Sequence, residues 1–205
     1  ARFFTALTAL DQGSAFGGMG SSREMALSAI AEPALFLAAL AVLLSGDTAN
    51  LGQLLQTANA DGLSGTEPAY WLALLAMLIV LIAETGRIPV DNPDTHLELT
   101  MIHEGMLLEY SGRYLGLMVW AHQIRQLLLM TLMIDFFFPW GIATDLSAGA
   151  LFVSFIVYVG KLAALGMLLA FIETIYAKIR LFLVPKLLAS SMILSLLAIL
   201  IRVME

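Results

Sequence analysis

The sequence predicts an all-α protein, a polytopic bundle of transmembrane helices, from three observations. Of the 205 residues, 60% are hydrophobic and only 13% are charged, whereas soluble domains carry about 25% charged residues. Five apolar stretches approach the roughly 20 residues that cross a bilayer as a helix. The short loops between them alternate between loops with and without Lys or Arg. This pattern excludes a soluble globular protein and indicates a chain embedded in the lipid bilayer.

The predicted spans are, in order, 25–45, 70–86, 114–138, 149–175 and 183–203. Residues 1–10 are also apolar, but ten helical residues rise only about 15 Å. We therefore expect them to be the end of another span whose beginning is missing. Because the chain also begins with Ala1 rather than Met, we expect a fragment of a longer protein, with 1–205 as a single transmembrane domain.

Basic residues occur in three of the loops, which the positive-inside rule places in the cytoplasm. These loops are 11–24 with Arg23, 87–113 with Arg87 and Arg113, and 176–186 with Lys178, Arg180 and Lys186. Loops 46–69 and 139–148 contain no Lys or Arg. Arg202, near the opposite end of the last span, is a mild exception. We expect a multi-pass protein of the cytoplasmic (inner) membrane, and the net charge of −6 argues against nucleic-acid binding.

Loop 87–113 and the residues just before it are too acidic for a simple connector. Six of the 16 acids lie between the end of the second span and the start of the third: Glu84, Asp91, Asp94, Glu98, Glu104 and Glu109. Leu, Met and Ile side chains alternate with them, so we expect part of the loop to be buried. Pro89 and Pro93 stop the preceding helix, and Asp94 or Thr95 could cap a short amphipathic helix.

Closely spaced, partly buried carboxylates can share and exchange protons at neutral pH, which favours a proton or ion path. The alternatives are a solvated charged loop and a metal site. The spacing of His96, Glu98 and His103 fits no common ligand motif. The absence of cysteine excludes thiolate metal sites and iron–sulfur clusters bound by this chain. We therefore expect this chain to bind no cofactor itself.

Charged residues also lie inside the predicted spans, where each costs a few kcal/mol and usually faces protein or water. Glu32 precedes Pro33 in the first span, and Lys161 lies near the middle of the fourth. His122, Arg125 and Gln126 share one helix face by their spacing. Asp135 and Glu173 lie near span ends. The alternative for each residue is a structural ion pair, but their number beside an acidic loop favours a polar path.

Two segments carry a family resemblance: GRIPVDNPDTHLELTMIHEGMLLEYSG at 86–112 and ARFFTALTALDQGSAFGGMGSSRE at 1–24. They resemble the membrane subunit of group 4 energy-converting hydrogenases, of the hydrogenase-4 component C or formate hydrogenlyase subunit 4 type. That group is homologous to subunit 1 (the H subunit) of respiratory complex I. The resemblance extends over residues 1–205, and members of the family are longer at the amino terminus.

Together with the residue pattern, the resemblance implies three sets of site residues. The proton or ion path would comprise Glu32, Glu84, Asp91, Glu98, Glu104, Glu109, Lys161 and Glu173. Its charge partners would be Arg2, Arg23, Arg87, Arg125 and Arg180. The soluble subunits would dock at Asp94, His96, His103 and Tyr110. No residue of the chain is expected to be catalytic or to bind a metal.

The resemblance implies a subunit that anchors a soluble redox arm and couples electron transfer to proton or sodium translocation. Its partners would be large, small and ferredoxin-like soluble subunits, which hold the NiFe and iron–sulfur centres, and antiporter-like membrane subunits. Pro89-Val90-Asp91-Asn92-Pro93 departs from the Pro-Phe-Asp-Leu and dense acidic run of complex I, which favours the hydrogenase-like branch over quinone binding. The open alternatives are a quinone-binding subunit 1 of an NADH dehydrogenase and a passive anchor. A stand-alone transporter is disfavoured because no internal repeat is visible.

Overall fold

The computed structural model describes residues 2–45, 52–53, 55, 67–91, 102–143, 147–177, 179 and 183–204. Its helices are α1 (Arg2–Asp11), α2 (Ala15–Ser45), α3 (Pro68–Glu84), α4 (His103–Leu107), α5 (Gly112–Phe137), α6 (Ala148–Ile175) and α7 (Val184–Met204). No strand occurs in these ranges, and the predicted all-α class is confirmed. The bounds of α3, α5, α6 and α7 lie within two residues of the predicted spans.

Four of the described helices, α2, α5, α6 and α7, are long and apolar enough to cross a membrane. The chain is therefore a multi-pass membrane protein. Helix α3 is also apolar but has only 17 residues, a length of about 25 Å. The count of five spans, the single domain over 1–205 and the missing amino-terminal part stay predictions.

The prediction that 11–24 is a loop is wrong, because α2 begins at Ala15 and only residues 12–14 separate it from α1. The Ser14 side chain caps the helix by accepting a hydrogen bond from the Gly17 N–H at 3.0 Å. Gly17 and Gly20 permit close packing of neighbouring backbones. A Cβ on Gly17 would lie 2.7 Å from the Ala9 carbonyl oxygen, and one on Gly20 would lie 2.9 Å from the Ile102 carbonyl oxygen. The helix also continues through Pro33.

Helices α2, α3 and α7 pack together as the centre of the bundle. Their contacts are built from small residues, which let helix backbones approach closely. Ala34 and Ala76 are fully buried. Ser191 Oγ donates to the Ala76 carbonyl at 2.8 Å, and Ser195 Oγ donates to the Ser191 carbonyl at 3.0 Å. Helix α5 packs on α3 and α6 on α5, so much of the apolar surface of α5 and α6 faces outward.

Contacts at both ends of the bundle show that its helices alternate in direction. At one end, Arg202 Nη1 of α7 lies 3.3 Å from Glu67 Oε1, which precedes α3. At the other end, Arg87 follows α3 and contacts Glu173 of α6, and the Ile179 N–H donates to the Pro89 carbonyl at 2.8 Å. This grouping agrees with the loop alternation in the sequence, and Glu67 provides the partner of the exceptional Arg202. Which end faces the cytoplasm stays a prediction.

Candidate functional site

The end of α3 determines where its carboxylate lies. The helix ends in a Schellman motif, in which the Gly86 N–H donates to the Ala83 carbonyl at 3.3 Å and the Arg87 N–H donates to the Ile82 carbonyl at 3.2 Å. Gly86 has φ +61°, a backbone conformation that glycine adopts without strain. The helix therefore stops before Pro89 is reached. Glu84, its last residue, lies beside the middle of α5, about 20 Å from where α5 begins.

Three helices bring two buried carboxylates to one guanidinium. Arg125 of α5 donates from Nη2 to Glu84 Oε2 of α3, and its Nη1 lies 3.9 Å from Glu24 Oε1 of α2. Glu24 is 5% exposed and Glu84 is 6% exposed. A cation shared between two acids offsets part of the several kcal/mol that burying each ion costs. These contacts join α2, α3 and α5 through charge.

A histidine from the acidic loop completes this group. His103, the first residue of α4, has its Nδ1 3.2 Å from Glu24 Oε2. Its ring meets the His122 ring edge to face, with centroids 5.0 Å apart. The buried Asp91 holds α4 in place, because its Oδ2 accepts from the Ile102 N–H at 3.3 Å and from the His103 N–H at 3.4 Å. We refer to Glu24, Glu84, Arg125 and His103 as the charge cluster.

A second, more exposed ion pair lies beside the charge cluster. Arg87 Nη1 lies 3.4 Å from Glu173 Oε1 of α6, and its Nη2 donates to Gln126 Oε1 at 3.3 Å. Gln126 is the neighbour of Arg125 on α5. Arg87 therefore links the turn after α3 to both α5 and α6.

Two cavities adjoin the charge cluster. The inner cavity has a volume of about 10 Å³, enough for about one water molecule, and its wall includes Glu24, Ser28, Glu84, Asp91 and His103. The second cavity, which we call the cleft, measures about 230 Å³ and is more open. Its polar lining consists of Thr85, Arg87, Asp91, His103, Glu104, His122, Gln123 and Gln126.

The structure brings six of the predicted site residues together around these cavities: Glu84, Arg87, Asp91, His103, Arg125 and Glu173. Glu104 lines the cleft, whereas Glu109 is exposed and Tyr110 is half-buried. Glu32 is exposed on α2, within electrostatic range of Arg125. Arg23 is half-buried beside Glu24.

Lys161 is not brought to the charge cluster. Its Nζ donates to the Phe138 carbonyl at 2.6 Å and to the Trp140 carbonyl, and it lies 4.2 Å from the centroid of the Trp140 ring. Along α6 it is about 18 Å from Glu173. Four further predicted residues, Asp94, His96, Glu98 and Arg180, lie outside the described residues, as does the side chain of Arg2. Their roles stay predictions.

Sequence reasoning missed Glu24, because residues 11–24 were expected to form a loop. The helical spacing of Gly17, Ser21, Glu24, Ser28 and Ala31 is the signal that could have found it, since these residues share one face of α2 and are buried. His122 and Gln126 were placed on the face of Arg125 but not assigned to the site. Within the described part of the chain, no group of three or more His, Cys, Asp or Glu residues could hold a metal ion.

Comparison with known proteins places these features in a family. The family model described as NADH dehydrogenase matches residues 1–204. The chain belongs to this family. Formate hydrogenlyase subunit 4 of Escherichia coli (strain K12) is 34% identical over 187 residues, which cover 91% of this chain and 59% of that protein. Hydrogenase-4 component C of the same organism is 34% identical over 184 residues, which cover 89% of this chain and 56% of that protein.

These matches confirm the resemblance drawn from residues 1–24 and 86–112. This member of the NADH dehydrogenase family spans less than two thirds of the length of the two relatives. Both relatives carry names that make them parts of larger assemblies, a subunit in one case and a component in the other.

Proposed function

We propose that this chain is an integral membrane subunit of a hydrogenase-type complex related to complex I. In this role it anchors a soluble redox arm in the cytoplasmic membrane and couples electron transfer to proton or sodium translocation. The observation that carries the proposal is the charge cluster, in which one half-buried guanidinium is shared by buried acids from two helices and a loop histidine contacts one of those acids. The family and the two relatives support the same assignment.

The physical argument rests on the sharing of Arg125 by two buried acids. Glu24 and Glu84 both contact the same cation, so their protonation states are coupled through it. In such a coupled group, protonation of one acid strengthens the hold of the cation on the other. A charge that arrives at the loop can then move a proton between the acids, because buried charges are weakly screened.

The path would enter from the loop side through Glu109 and Glu104, pass the charge cluster and continue past Glu32 towards antiporter-like membrane subunits. Arg87 and Glu173 would form its second branch. Docking of large, small and ferredoxin-like soluble subunits would use loop 87–113, including Asp94, His96, His103 and Tyr110. The NiFe and iron–sulfur centres would belong to these soluble subunits, since this chain has no cysteine.

The second candidate is a quinone-binding subunit, which the NADH dehydrogenase family match favours. The cleft is the place where a quinone would be expected, but its volume of about 230 Å³ is smaller than that of the pockets of about 300–1,000 Å³ that hold small molecules. Saturable binding of a ubiquinone analogue by the complex, abolished by Gln126→Leu, would favour this candidate instead.

The proposed coupling is tested with Glu84→Gln, which keeps the shape of the side chain but removes its charge. In sealed vesicles carrying the complete complex, with reduced methyl viologen as electron donor, we expect proton uptake per electron to fall by at least about tenfold while the complex remains assembled. Glu67→Gln is the matched control, because Glu67 forms an ion pair with Arg202 at the opposite end; it should leave the ratio unchanged.

Full uptake by assembled Glu84→Gln and Glu24→Gln complexes would contradict the coupling and favour a passive anchor. Ion uptake that requires Na⁺ in the medium and persists when a protonophore is present would identify sodium as the transported ion.

A further inference from the structure

The two cavities that adjoin the charge cluster share part of their walls. Among the described residues, the inner cavity and the cleft share Gly86, Asp91 and His103 in their walls. Gly86 has no side chain, and Asp91 is engaged through Oδ2 by two backbone N–H groups. His103 has its side chain in both walls and contacts the buried Glu24, so it is placed to exchange a proton between the two cavities.

The geometry points to His103 as the proton-transfer residue between the cleft and the buried Glu24; this inference rests on the proposed function and assigns a role within it. The Nδ1 atom is 3.2 Å from Glu24 Oε2, within the range in which a proton can pass directly. His103 also lies in the wall of the cleft. Imidazole is the side chain whose ordinary titration range includes neutral pH.

The transfer can be written with every proton accounted for. A neutral His103 carries its proton on Nδ1 and donates it in a hydrogen bond to the Glu24 carboxylate. A proton that arrives from bulk solvent through the water of the cleft binds Nε2, and the Nδ1 proton then passes to Glu24 Oε2, leaving a neutral ring protonated on Nε2 and a neutral carboxyl group. Rotation of the ring returns its proton to the Glu24 side after Glu24 has passed its own proton on.

The charged and titratable groups around His103 come from four elements. Glu24 belongs to α2, Glu84 and Asp91 belong to α3 and its following turn, His122 and Arg125 belong to α5, and Glu104 is its neighbour on α4. Since α4 belongs to the loop proposed to dock the soluble arm, a small movement of α4 would change the contact between His103 and Glu24.

The first test is a titration that does not need activity. The purified complete complex is studied by pH-dependent infrared spectroscopy, and the protonated-carboxyl band of Glu24 is identified by its loss in Glu24→Gln. The titrations are made in a Glu84→Gln background, so that the other acid on Arg125 does not titrate. In this background we expect the band to titrate in two steps when His103 is present, because two coupled groups share the protons, and in one step when His103→Gln is added. His122→Gln is the matched control; it removes a neighbouring imidazole that lines the cleft but not the inner cavity, and it should keep both steps.

The second test measures proton uptake in vesicles. His103→Gln should lower uptake per electron by at least about tenfold, and added imidazole should restore part of it in His103→Ala, where the ring has been removed. Uptake at the wild-type level in assembled His103→Gln, or a two-step titration that persists in it, would overturn the inference. If His103→Gln does not assemble, His103→Asn takes its place, and failure of both to assemble would assign His103 a structural role and also overturn it.

The proposed coupling and the proposed role of His103 can be disproved independently of each other. Normal uptake in Glu84→Gln would end the proposed coupling but leave the two-step titration of Glu24 standing. A single-step titration in the Glu84→Gln background with His103 present would end the role of His103 but leave a loss of uptake in Glu84→Gln intact.

Discussion

At the scale of the residue, Arg125 is the group on which the others depend. It is the cation that Glu24 of α2 and Glu84 of α3 share, and both acids are buried. Removing one partner from a buried ion pair is far more damaging than replacing the whole pair, because the remaining charge keeps its desolvation cost. The stability of the charge cluster therefore depends on the shared Arg125 cation more than on the strength of any one contact.

We expect Arg125→Gln to destabilise the protein by about 3–5 kcal/mol, measured as a lower thermal unfolding midpoint in detergent. Arg125→Lys should lose less stability than Arg125→Gln, because it keeps the charge. It should still be less stable than the wild type, because a single ammonium cannot contact two carboxylates as the planar guanidinium does. The double variant Arg125→Gln with Glu84→Gln should recover part of the loss. Arg113→Gln, at an exposed position, is the control and should change stability by less than about 0.5 kcal/mol. A loss in Arg125→Gln no larger than in this control would show that the shared cation is unimportant.

At the scale of the element, the contact between α2 and α4 depends on a glycine. The position at which a Cβ of Gly20 would lie is 2.9 Å from the Ile102 carbonyl oxygen and 3.2 Å from the Gly105 carbonyl carbon. Both atoms are backbone, so neither can move without moving α4. This close approach keeps His103 within reach of Glu24.

Gly20→Ala should therefore loosen α4 from α2, seen as faster hydrogen exchange at the amides of 103–107. Gly18→Ala is the matched control two residues earlier on the same helix, where a Cβ would meet nothing within 4 Å. It should leave the exchange unchanged or stabilise α2 by up to about 1 kcal/mol, the difference in helix propensity between the two residues. Equal exchange in both variants would mean that α4 is not held by this contact.

Element lengths also explain which sequence predictions succeeded. Long apolar runs determined the bounds of α5, α6 and α7, because burying backbone polar groups in lipid requires helices. The start of α2 was mispredicted because Gly17-Gly18-Met19-Gly20 has the composition of a flexible loop. In the folded chain, Ser14 caps the helix, and Gly17 and Gly20 allow neighbouring backbone atoms to approach closely. Composition alone does not indicate either feature.

At the scale of the whole molecule, the alternation of helix direction makes a definite topology prediction. Lys186 and Ile142 are both exposed and lie at opposite ends of the bundle. The chain has no cysteine, so single-cysteine variants can be labelled without background from this chain. We expect a membrane-impermeant thiol reagent to label Ile142→Cys in intact cells and to label Lys186→Cys only after the membrane is opened, because the basic loops remain in the cytoplasm. The reverse pattern would invert the topology and remove loop 87–113 from the soluble arm.

The sequence by itself determined the class, the helical runs and the family. These follow from local properties: the length of an apolar segment, the positions of basic residues, and the motif at 86–112. It also marked most of the acids and bases that matter, since a charge in an apolar chain is costly wherever it lies.

Only the tertiary structure decided which of those charges meet. The end of α3 before Gly86 places Glu84 beside Arg125, and the early start of α2 adds Glu24 to the same site. The hydrogen bond from the His103 N–H to Asp91 positions α4 so that the His103 ring contacts Glu24. Lys161, predicted for the same path, is instead engaged by carbonyl oxygens beyond the end of α5. The physical reason is that ion pairing between helices depends on their relative rotation and axial offset, and neither is encoded in the periodicity of a single helix.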